Sequence, residues 1–321
     1  MVMTDALVGG MGAPHHPVLL EEVLRRLAVE RGGLFFDGTL GLGGHSEAIL
    51  ERAPAARVIG CDRDREALAF ATQRLARFSG RFRAVHADFR LIAQILENED
   101  ELSGVLVDLG VSSMQLDTGR RGFSFRHDAL LDMRMNAESD ETTAADLLAD
   151  LPEEEIARLI YEYGEERHSR RIARLLVKRR EEGAPVRTTF DLTDVVARAV
   201  RHRRTKDRTH PATRTFQALR IAVNKELEGL DRFIETAIDL LQRDGRFVAI
   251  SFHSLEDRIV KSTLRRLAGH CVCARRLPVC SCGARHTVEI LTRRPVVPTD
   301  AESEANPRAR SAKLRACRKV V

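Results

Sequence analysis

The sequence predicts an α/β protein in which a mostly parallel sheet is interrupted by an inserted, all-helical subdomain. Over the first 120 residues, short β-rich runs alternate with amphipathic segments, which is typical of βαβ units. After Gly110 no strand-like run appears until residue 245, although one crossover helix would be enough to return to the sheet. At 321 residues the chain can form one large domain or two.

The predicted strands are short apolar runs, most of which end at an acid or a glycine. Because they are apolar on both faces, they suit a sheet that helices cover on both sides. They are residues 33–38, 56–62, 81–88 and 103–110, followed after the long gap by 245–252 and 286–295.

Helical spacing predicts the elements between and after these strands. Segments 46–52 and 65–78 each carry one apolar face. Pro152 and the three glutamates after it indicate a helix start, because proline suits the first turn and carboxylates suit its positive end. Residues 213–242 are predicted to form one long helix that ends before Gly245.

These elements predict three regions. Residues 1–14 form a flexible tail, residues 15–120 with 243–321 form the α/β domain, and residues 121–242 form the helical insertion. The N-terminal residues lack the basic and apolar parts of a secretory signal, and no apolar run is long enough to span a bilayer. We therefore expect a cytoplasmic protein with no membrane partner.

Charge is distributed unevenly along the chain, whose formal net charge is +5. Between Arg167 and Arg220, sixteen Lys or Arg stand against five Asp or Glu, and residues 306–319 carry six basic residues and no acid. Basic patches on an otherwise acidic body indicate a polyanionic partner, most simply nucleic acid. A solvated, Arg-rich helix face explains the charge equally well, and a non-catalytic RNA-binding factor also remains an alternative.

Four glycines lie within residues 37–44, between the first strand and a helix. Glycine is costly to order, so we expect this backbone to lie against a ligand, with a plain tight turn as the alternative. Asp62 ends the second strand, where it could bind two ribose hydroxyls, and Phe89 could pack on an adenine.

Asp37, just before the glycines, would repel a pyrophosphate but favour a sulfonium or ammonium group. The turn therefore favours S-adenosyl-L-methionine over NAD, and an NAD-dependent oxidoreductase is the weaker alternative.

Ten stretches along the chain share their residues and order with one known family. They are residues 15–23, 37–46, 62–64, 107–117, 121–126, 131–135, 163–167, 210–224, 251–261 and 306–315. In these stretches the chain resembles the ribosomal RNA small subunit methyltransferase H family, of the MraW type. The resemblance implies a Rossmann-like class I methyltransferase that uses S-adenosyl-L-methionine to methylate N4 of one cytosine in 16S rRNA. The small ribosomal subunit would be its partner, and a homodimer remains an open alternative.

The resemblance also implies which residues form the site. The family's cofactor contacts fall on Gly43, Gly44, His45, Asp62, Phe89, Asp108 and Gln115. Asp108 is also the candidate catalytic group, as an acceptor for the N4 hydrogens. The chain has no Pro-Pro-aromatic motif after Asp108, so the choice of cytosine N4 depends on the resemblance.

Three further residues are candidates for binding the RNA. His253 follows the fifth strand, in a turn where Ser254 is the expected helix cap. Arg308 and Arg310 belong to the basic segment near the C-terminus, which we expect to be a tail separate from the cofactor pocket.

Four cysteines near the C-terminus are the one candidate metal site in the sequence. They have C-x-C-x6-C-x-C spacing, which could close a zinc site but is not the usual C-x2-C pair. We assign no metal to them and leave zinc as an alternative; they are Cys271, Cys273, Cys280 and Cys282.

Overall fold

The computed structural model describes residues 17–112, 115, 119–138, 141–200, 210–271, 273 and 283–321. The strands are β1 (Gly33–Asp37), β2 (Ala56–Asp62), β3 (Phe82–His86), β4 (Leu102–Asp108), β5 (Leu241–Ser251), β6 (Val288–Ile290) and β7 (Lys313–Lys319). They form a seven-stranded sheet in the order β3-β2-β1-β4-β5-β7-β6. The pairs from β3 to β5 are parallel, and β7 is antiparallel to both β5 and β6. The predicted α/β class with a mostly parallel sheet is confirmed.

Helices cover both faces of the sheet and also form a separate layer. They are α1 (Leu20–Leu27), α2 (Gly44–Arg52), α3 (Arg65–Arg74), α4 (Ile92–Ile95), α5 (Ala144–Asp150), α6 (Glu153–Gly164), α7 (Ser169–Glu181), α8 (Thr189–Ala199), α9 (Thr213–Asn224), α10 (Leu230–Asp239), α11 (Ser254–Leu267) and α12 (Asp300–Ala305). Successive strand residues point to opposite faces, so Phe35 packs with α1 and α2 while Phe36 packs with α4, α10 and α11.

Helices α5 to α9 have an apolar core of their own. Helices α6 and α9 approach closely at Gly164, where a Cβ atom would lie 2.6 Å from the carbonyl oxygen of Arg214. Only glycine fits that crossing. The predicted helical insertion is therefore present as a separately packed layer.

The prediction of one long helix over residues 213–242 is wrong. Lys225 (φ 50°) and Gly229 (φ 69°) adopt left-handed backbone conformations, which an α-helix cannot contain, so the segment is divided into α9 and α10. The apolar side chains of α9 belong to the insertion core, whereas Leu230 and Phe233 of α10 belong to a core of the sheet. The helical core therefore ends at α9, not at residue 242.

The basic segment near the C-terminus is not a tail. A 3₁₀ turn (Pro307–Ser311) leads into β7, which lies between β5 and β6. Arg315 in β7 is 7% exposed, and its guanidinium binds both carboxylate oxygens of Asp257 at 2.6 and 3.2 Å. This strand was missed because its charged residues gain partners only in the folded sheet. The predicted strand at 286–295 is present only as the three residues of β6.

Some predictions concern residues outside the described ranges. These are the tail at 1–14, two of the four clustered cysteines (Cys280 and Cys282) and part of the basic segment, residues 201–209. Among the described helices, none has the length and apolar character needed to cross a bilayer.

Candidate functional site

A cavity of about 510 Å³ lies where the carboxyl ends of the parallel strands meet the insertion. Its volume is within the usual range for a small-molecule site. Loops after β1 to β5 supply one part of the wall, and the insertion supplies another through residues 123–126 and one face of α9. The residues of that face are Thr213, Phe216, Gln217, Arg220 and Asn224.

Asp62, at the end of β2, fixes the shape of the glycine turn. Its Oδ2 accepts a hydrogen bond of 2.8 Å from the N–H of Gly41, and its Oδ1 accepts one of 2.8 Å from the N–H of Asp64. At Gly41 (φ +50°) a Cβ atom would have only the Thr39 carbonyl oxygen, at 3.9 Å, near it. The turn is therefore open to the cavity at Gly41.

Gly43 has a structural reason to be glycine. Its φ of +79° requires glycine, and a Cβ atom would lie 3.1 Å from Leu75 Cδ1 and 3.3 Å from Ala71 Cβ. The added atom would thus meet α3 and its C-terminal residue, not a ligand, and Gly43 is outside the cavity wall while Gly44 is part of it. At Gly43 the absent side chain therefore leaves room for a helix, and the contact of Gly43 with the cofactor stays a prediction.

Asp37 lies beneath the turn and does not face the cavity. It is 2% exposed, and it accepts hydrogen bonds from the Ser46 hydroxyl at 2.7 Å and the Thr39 N–H at 3.2 Å. Burial raises the pKa of Asp37 to about 6, despite these hydrogen bonds. Any influence of the Asp37 charge on a ligand therefore acts from below the turn.

Asp108 ends β4 in the cavity wall. Burial raises the pKa of Asp108 to about 8, and the nearby charges of Asp37 and Glu256 act in the same direction. Its Oδ1 is buried and has no hydrogen-bond partner among the described residues, while its Oδ2 lies 3.9 Å from His45 Nδ1. A cationic ligand group beside Asp108 would favour the ionised carboxylate. This site therefore suits a positively charged ligand.

His45, Phe89 and Gln115 are held in the wall by neighbouring groups. His45 Nε2 lies 3.0 Å from the carbonyl oxygen of Val18, and the Phe89 ring packs edge-on against Phe233 with centroids 4.6 Å apart. Gln115 Nε2 donates to Asp64 Oδ2 at 2.9 Å. The structure thus brings together six of the seven predicted cofactor residues, all except Gly43.

Asn224, the last residue of α9, was not predicted as a site residue. It is 1% exposed, its Oδ1 accepts the N–H of Met135 at 2.7 Å, and its Nδ2 donates to the carbonyl oxygen of Met133 at 2.8 Å. Arg63 Nη1 donates to the Asn224 carbonyl oxygen at 3.1 Å, which connects the loop after β2 to the insertion. Asn224 could have been found from the sequence, because it lies in one of the stretches that match the family.

His253, not Ser254, is the residue that caps α11. The N–H of Glu256 approaches His253 Nδ1 at 3.4 Å, whereas the Ser254 hydroxyl donates to Glu165 of the insertion at 2.6 Å. His253 Nε2 lies 3.1 Å from Glu256 Oε1, too poorly aligned to count as a hydrogen bond. Burial acts to raise the pKa of Glu256, but His253 and the charge of Arg220 outweigh it and hold the pKa below its ordinary value.

Glu226, His253 and Glu256 have donor atoms within 4.8 Å of one another, as metal ligands do. However, Arg220 already binds both oxygens of Glu226 at 2.9 Å each. His253 Nδ1 faces a backbone N–H, which places the ring proton of the neutral imidazole on Nε2 and leaves that atom without a free lone pair. These contacts fit a buried ion-pair network, and we assign no metal to the cluster.

The two arginines predicted to bind RNA lie in different places. Arg308 is part of the cavity wall, whereas Arg310 is exposed and outside it. The predicted separation between the basic segment and the cofactor pocket is therefore wrong. The 3₁₀ turn that carries Arg308 precedes β7, and the pairing of β7 with β5 brings it to the same edge of the sheet.

Comparison with known proteins gives a family match over nearly the whole chain. The model of the MraW methylase family matches residues 12–320. A protein of Pelobacter propionicus, named ribosomal RNA small subunit methyltransferase H, is 53% identical over 313 residues, which cover 96% of this chain and 99% of that protein. A protein of the same name from Geobacter sulfurreducens is 53% identical over 309 residues, covering 95% and 99%. A solved rRNA methylase from Streptococcus thermophilus aligns over 94% of this chain and 93% of that one at 9% identity, but its TM-score of 0.39 is too low to carry an argument.

Proposed function

This chain belongs to the MraW methylase family, and on that premise we propose that it methylates N4 of a cytosine in 16S rRNA, with S-adenosyl-L-methionine as methyl donor. Relatives about half identical to it over their full length are named as methyltransferases of small-subunit ribosomal RNA. The assignment to cytosine N4 is the finer part of the proposal, and it depends on the family resemblance in sequence. The chain would act in the cytoplasm, where ribosomal subunits are assembled.

One observation of the site supports the cofactor best. Asp108 lies in the cavity wall and has one buried carboxylate oxygen without a hydrogen-bond partner among the described residues, while Asp62 holds the neighbouring turn open. S-adenosylmethionine supplies a methyl group on a positively charged sulfonium. Asp108 would stabilise positive charge in the cavity, because burial raises the pKa of its carboxyl to about 8 and a cation beside it would favour the carboxylate. A pyrophosphate ligand such as NAD would instead bring further negative charge to these acids.

The proposed division of labour follows the two parts of the wall. Gly44, His45, Asp62, Phe89 and Gln115 would hold the cofactor at the sheet edge. The insertion would hold the RNA, with the target base withdrawn from any helix into the cavity. These residues would fix the amine in line with the donor, and such pre-orientation contributes several kcal/mol to a displacement reaction.

Asp108 is the proposed acceptor for an N4 hydrogen. The N4 lone pair of cytosine is delocalised into the ring, so an acceptor on its hydrogens would help to localise that pair for attack. With a pKa of about 8, Asp108 is neutral at pH 7 and a poor acceptor, and a cationic neighbour would convert it to the carboxylate. His253, in the same wall, and Arg308 would contact the RNA, with Arg310 binding phosphate outside the cavity.

Methyl transfer to defined RNA tests this function. Protein, labelled S-adenosylmethionine and small subunits that lack the modification are incubated, with large subunits as the matched control. We expect label in small-subunit RNA alone, and equal label in both RNAs would contradict the assignment. Calorimetric titration with S-adenosylmethionine and with NAD separates the methyltransferase from the oxidoreductase and from a non-catalytic RNA-binding factor.

A further inference from the structure

The insertion places an aromatic ring and a cation side by side in the cavity wall. Phe125 and Arg126 are adjacent in sequence, and both line the cavity. They follow Phe123, which is 7% exposed and anchored in the insertion core. The pair is thus presented to the cavity from a firmly packed base.

Neighbouring side chains fix the Phe125 ring in place. It stacks on His210 with centroids 4.6 Å apart and planes 26° apart, and it meets the Phe216 ring edge-on at 5.2 Å and 75°. His210 therefore covers one face of the ring, while the half-buried Phe125 still lines the cavity. A fixed aromatic surface of this kind is what unpaired RNA bases stack upon.

Arg126 differs from other arginines of the same wall. Arg63 and Arg90 both lie against the carboxylate of Asp88, at 3.6 Å in the case of Arg63. Arg126 is exposed and forms no ion pair with any described residue. An unpaired guanidinium is well suited to a phosphate, which it can bind through two parallel hydrogen bonds.

We propose that Phe125 and Arg126 form the subsite for the target nucleotide, with its base stacked on Phe125 and its phosphate bound by Arg126. This inference rests on the proposed function and adds the residues that recognise the nucleotide itself. It predicts that a single nucleotide, without the rest of the RNA, binds to the protein. The base and the phosphate should contribute to its affinity separately, through Phe125 and Arg126.

Titration of the full chain, saturated with S-adenosylhomocysteine, tests each part separately. Cytidine 5′-monophosphate and cytidine are the two probes, and the dissociation constants are measured by NMR. We expect the wild type to bind the monophosphate more tightly, and Arg126→Gln to lose that preference, since a charged hydrogen bond corresponds to about tenfold or more in affinity. Phe125→Leu should weaken both probes by about tenfold, and Phe125→Tyr should restore them.

Arg120→Gln is the matched control, because Arg120 is exposed, pairs with Glu66 and lies outside the cavity wall. It should bind both probes as the wild type does. A monophosphate preference retained in Arg126→Gln would overturn the proposal, as would unchanged binding in Phe125→Leu or a wild type without any preference. Methyl transfer to small subunits is measured in parallel. If the protein binds the nucleotide as expected but transfers no methyl group, the proposed function is contradicted and the subsite is supported. If it transfers the methyl group but the Phe125 and Arg126 variants bind both probes as the wild type does, the subsite is contradicted and the proposed function is supported.

Discussion

Asp62 and Gly41 are joined by a hydrogen bond of 2.8 Å, from the backbone N–H of the glycine to Oδ2 of the carboxylate. The other carboxylate oxygen is bound by the N–H of Asp64. Asp62, which the sequence predicts to bind the ribose, therefore also stabilises the backbone of the glycine turn. Its removal should disturb both the ligand contact and the loop that surrounds it.

Asp62→Ala should lower the affinity for S-adenosylmethionine by tenfold or more, because hydrogen bonds to a charged group contribute about 1.5–3 kcal/mol. The melting temperature should also fall, since two backbone N–H groups lose their acceptor. Calorimetric titration and thermal unfolding measure these effects. Asp100→Ala is the control, since that acid is exposed and pairs only with Arg57 among the described residues. If Asp62→Ala binds S-adenosylmethionine with wild-type affinity, Asp62 does not contribute to cofactor binding.

Gly43→Ala should lower the free energy of unfolding more than Gly80→Ala does. Both glycines have left-handed backbones (φ +79° and +81°), so alanine costs roughly 1–2 kcal/mol in strain at either position. At Gly43 the new methyl group also crowds Leu75 and Ala71, whereas at Gly80 nothing lies within 4 Å. Urea unfolding of the two variants measures the difference. Equal losses would mean that contact with α3 does not require glycine.

The pKa of Asp108 predicts a pH dependence of cofactor binding. At pH 7 a carboxyl with a pKa of about 8 is protonated, and a cationic ligand beside it drives its ionisation. Binding should therefore release a proton, and affinity should rise as the pH increases toward 8. The proton is counted by calorimetry at pH 7 in buffers with different ionisation enthalpies. Asp108→Asn is the control: it should lose this release, while protons from the cofactor itself remain. Equal proton release by both proteins would contradict the prediction.

Arg308→Gln and Arg310→Gln should separate the cavity from the outer RNA surface. Each substitution removes one proposed phosphate contact, so each should lower the salt slope of RNA binding by about one or somewhat less. Only Arg308 lines the cavity, so its substitution alone should also lower the transfer rate at saturating RNA. Arg57→Gln, at a distant surface ion pair, is the control. Wild-type slopes in both variants would show that the basic segment does not bind RNA.

Arg315, in the basic segment that was expected to be a tail, should contribute to the stability of the fold. Because β7 is buried in the sheet, Arg315→Met leaves the carboxylate of Asp257 with one cation among the described residues, Lys313, at the longer distance of 3.8 Å. Removing one partner of a buried pair costs about 3–5 kcal/mol. Thermal unfolding should show a large decrease, and the double variant Arg315→Met with Asp257→Leu should recover part of it. A small decrease in the single variant would indicate that the pair is solvated.

The elements of this fold that could be predicted are those whose residue pattern suits the burial that they have in the folded protein. Strands β1, β2 and β4 each contain a run of buried, mostly apolar residues, and that environment requires nothing else. Strand β7 could not be predicted, because Arg315 and its neighbours become compatible with a buried strand only through Asp257 and the pairing with β5. The break between α9 and α10 was hidden because apolar spacing continues through it, although Gly229 marks it.

The site shows the same division. Asp62 and Phe89 could be found because they follow strands at the edge where parallel α/β sheets bind ligands. The surroundings of Asp37 and Gly43 could not be predicted, because their neighbours include Ser46 and Leu75, which no local pattern identifies. Contacts between separate elements, such as Asn224 with Met133, depend on how the insertion packs on the sheet.

Identification of the methylated nucleoside tests the central claim most directly. Small-subunit RNA is labelled by the protein with S-adenosylmethionine, digested to nucleosides and analysed by chromatography with mass spectrometry. We expect N4-methylcytidine, and a lower yield of it from Asp62→Ala at cofactor concentrations that saturate only the wild type. Label on C5 of cytosine, on another base or on the ribose would contradict it.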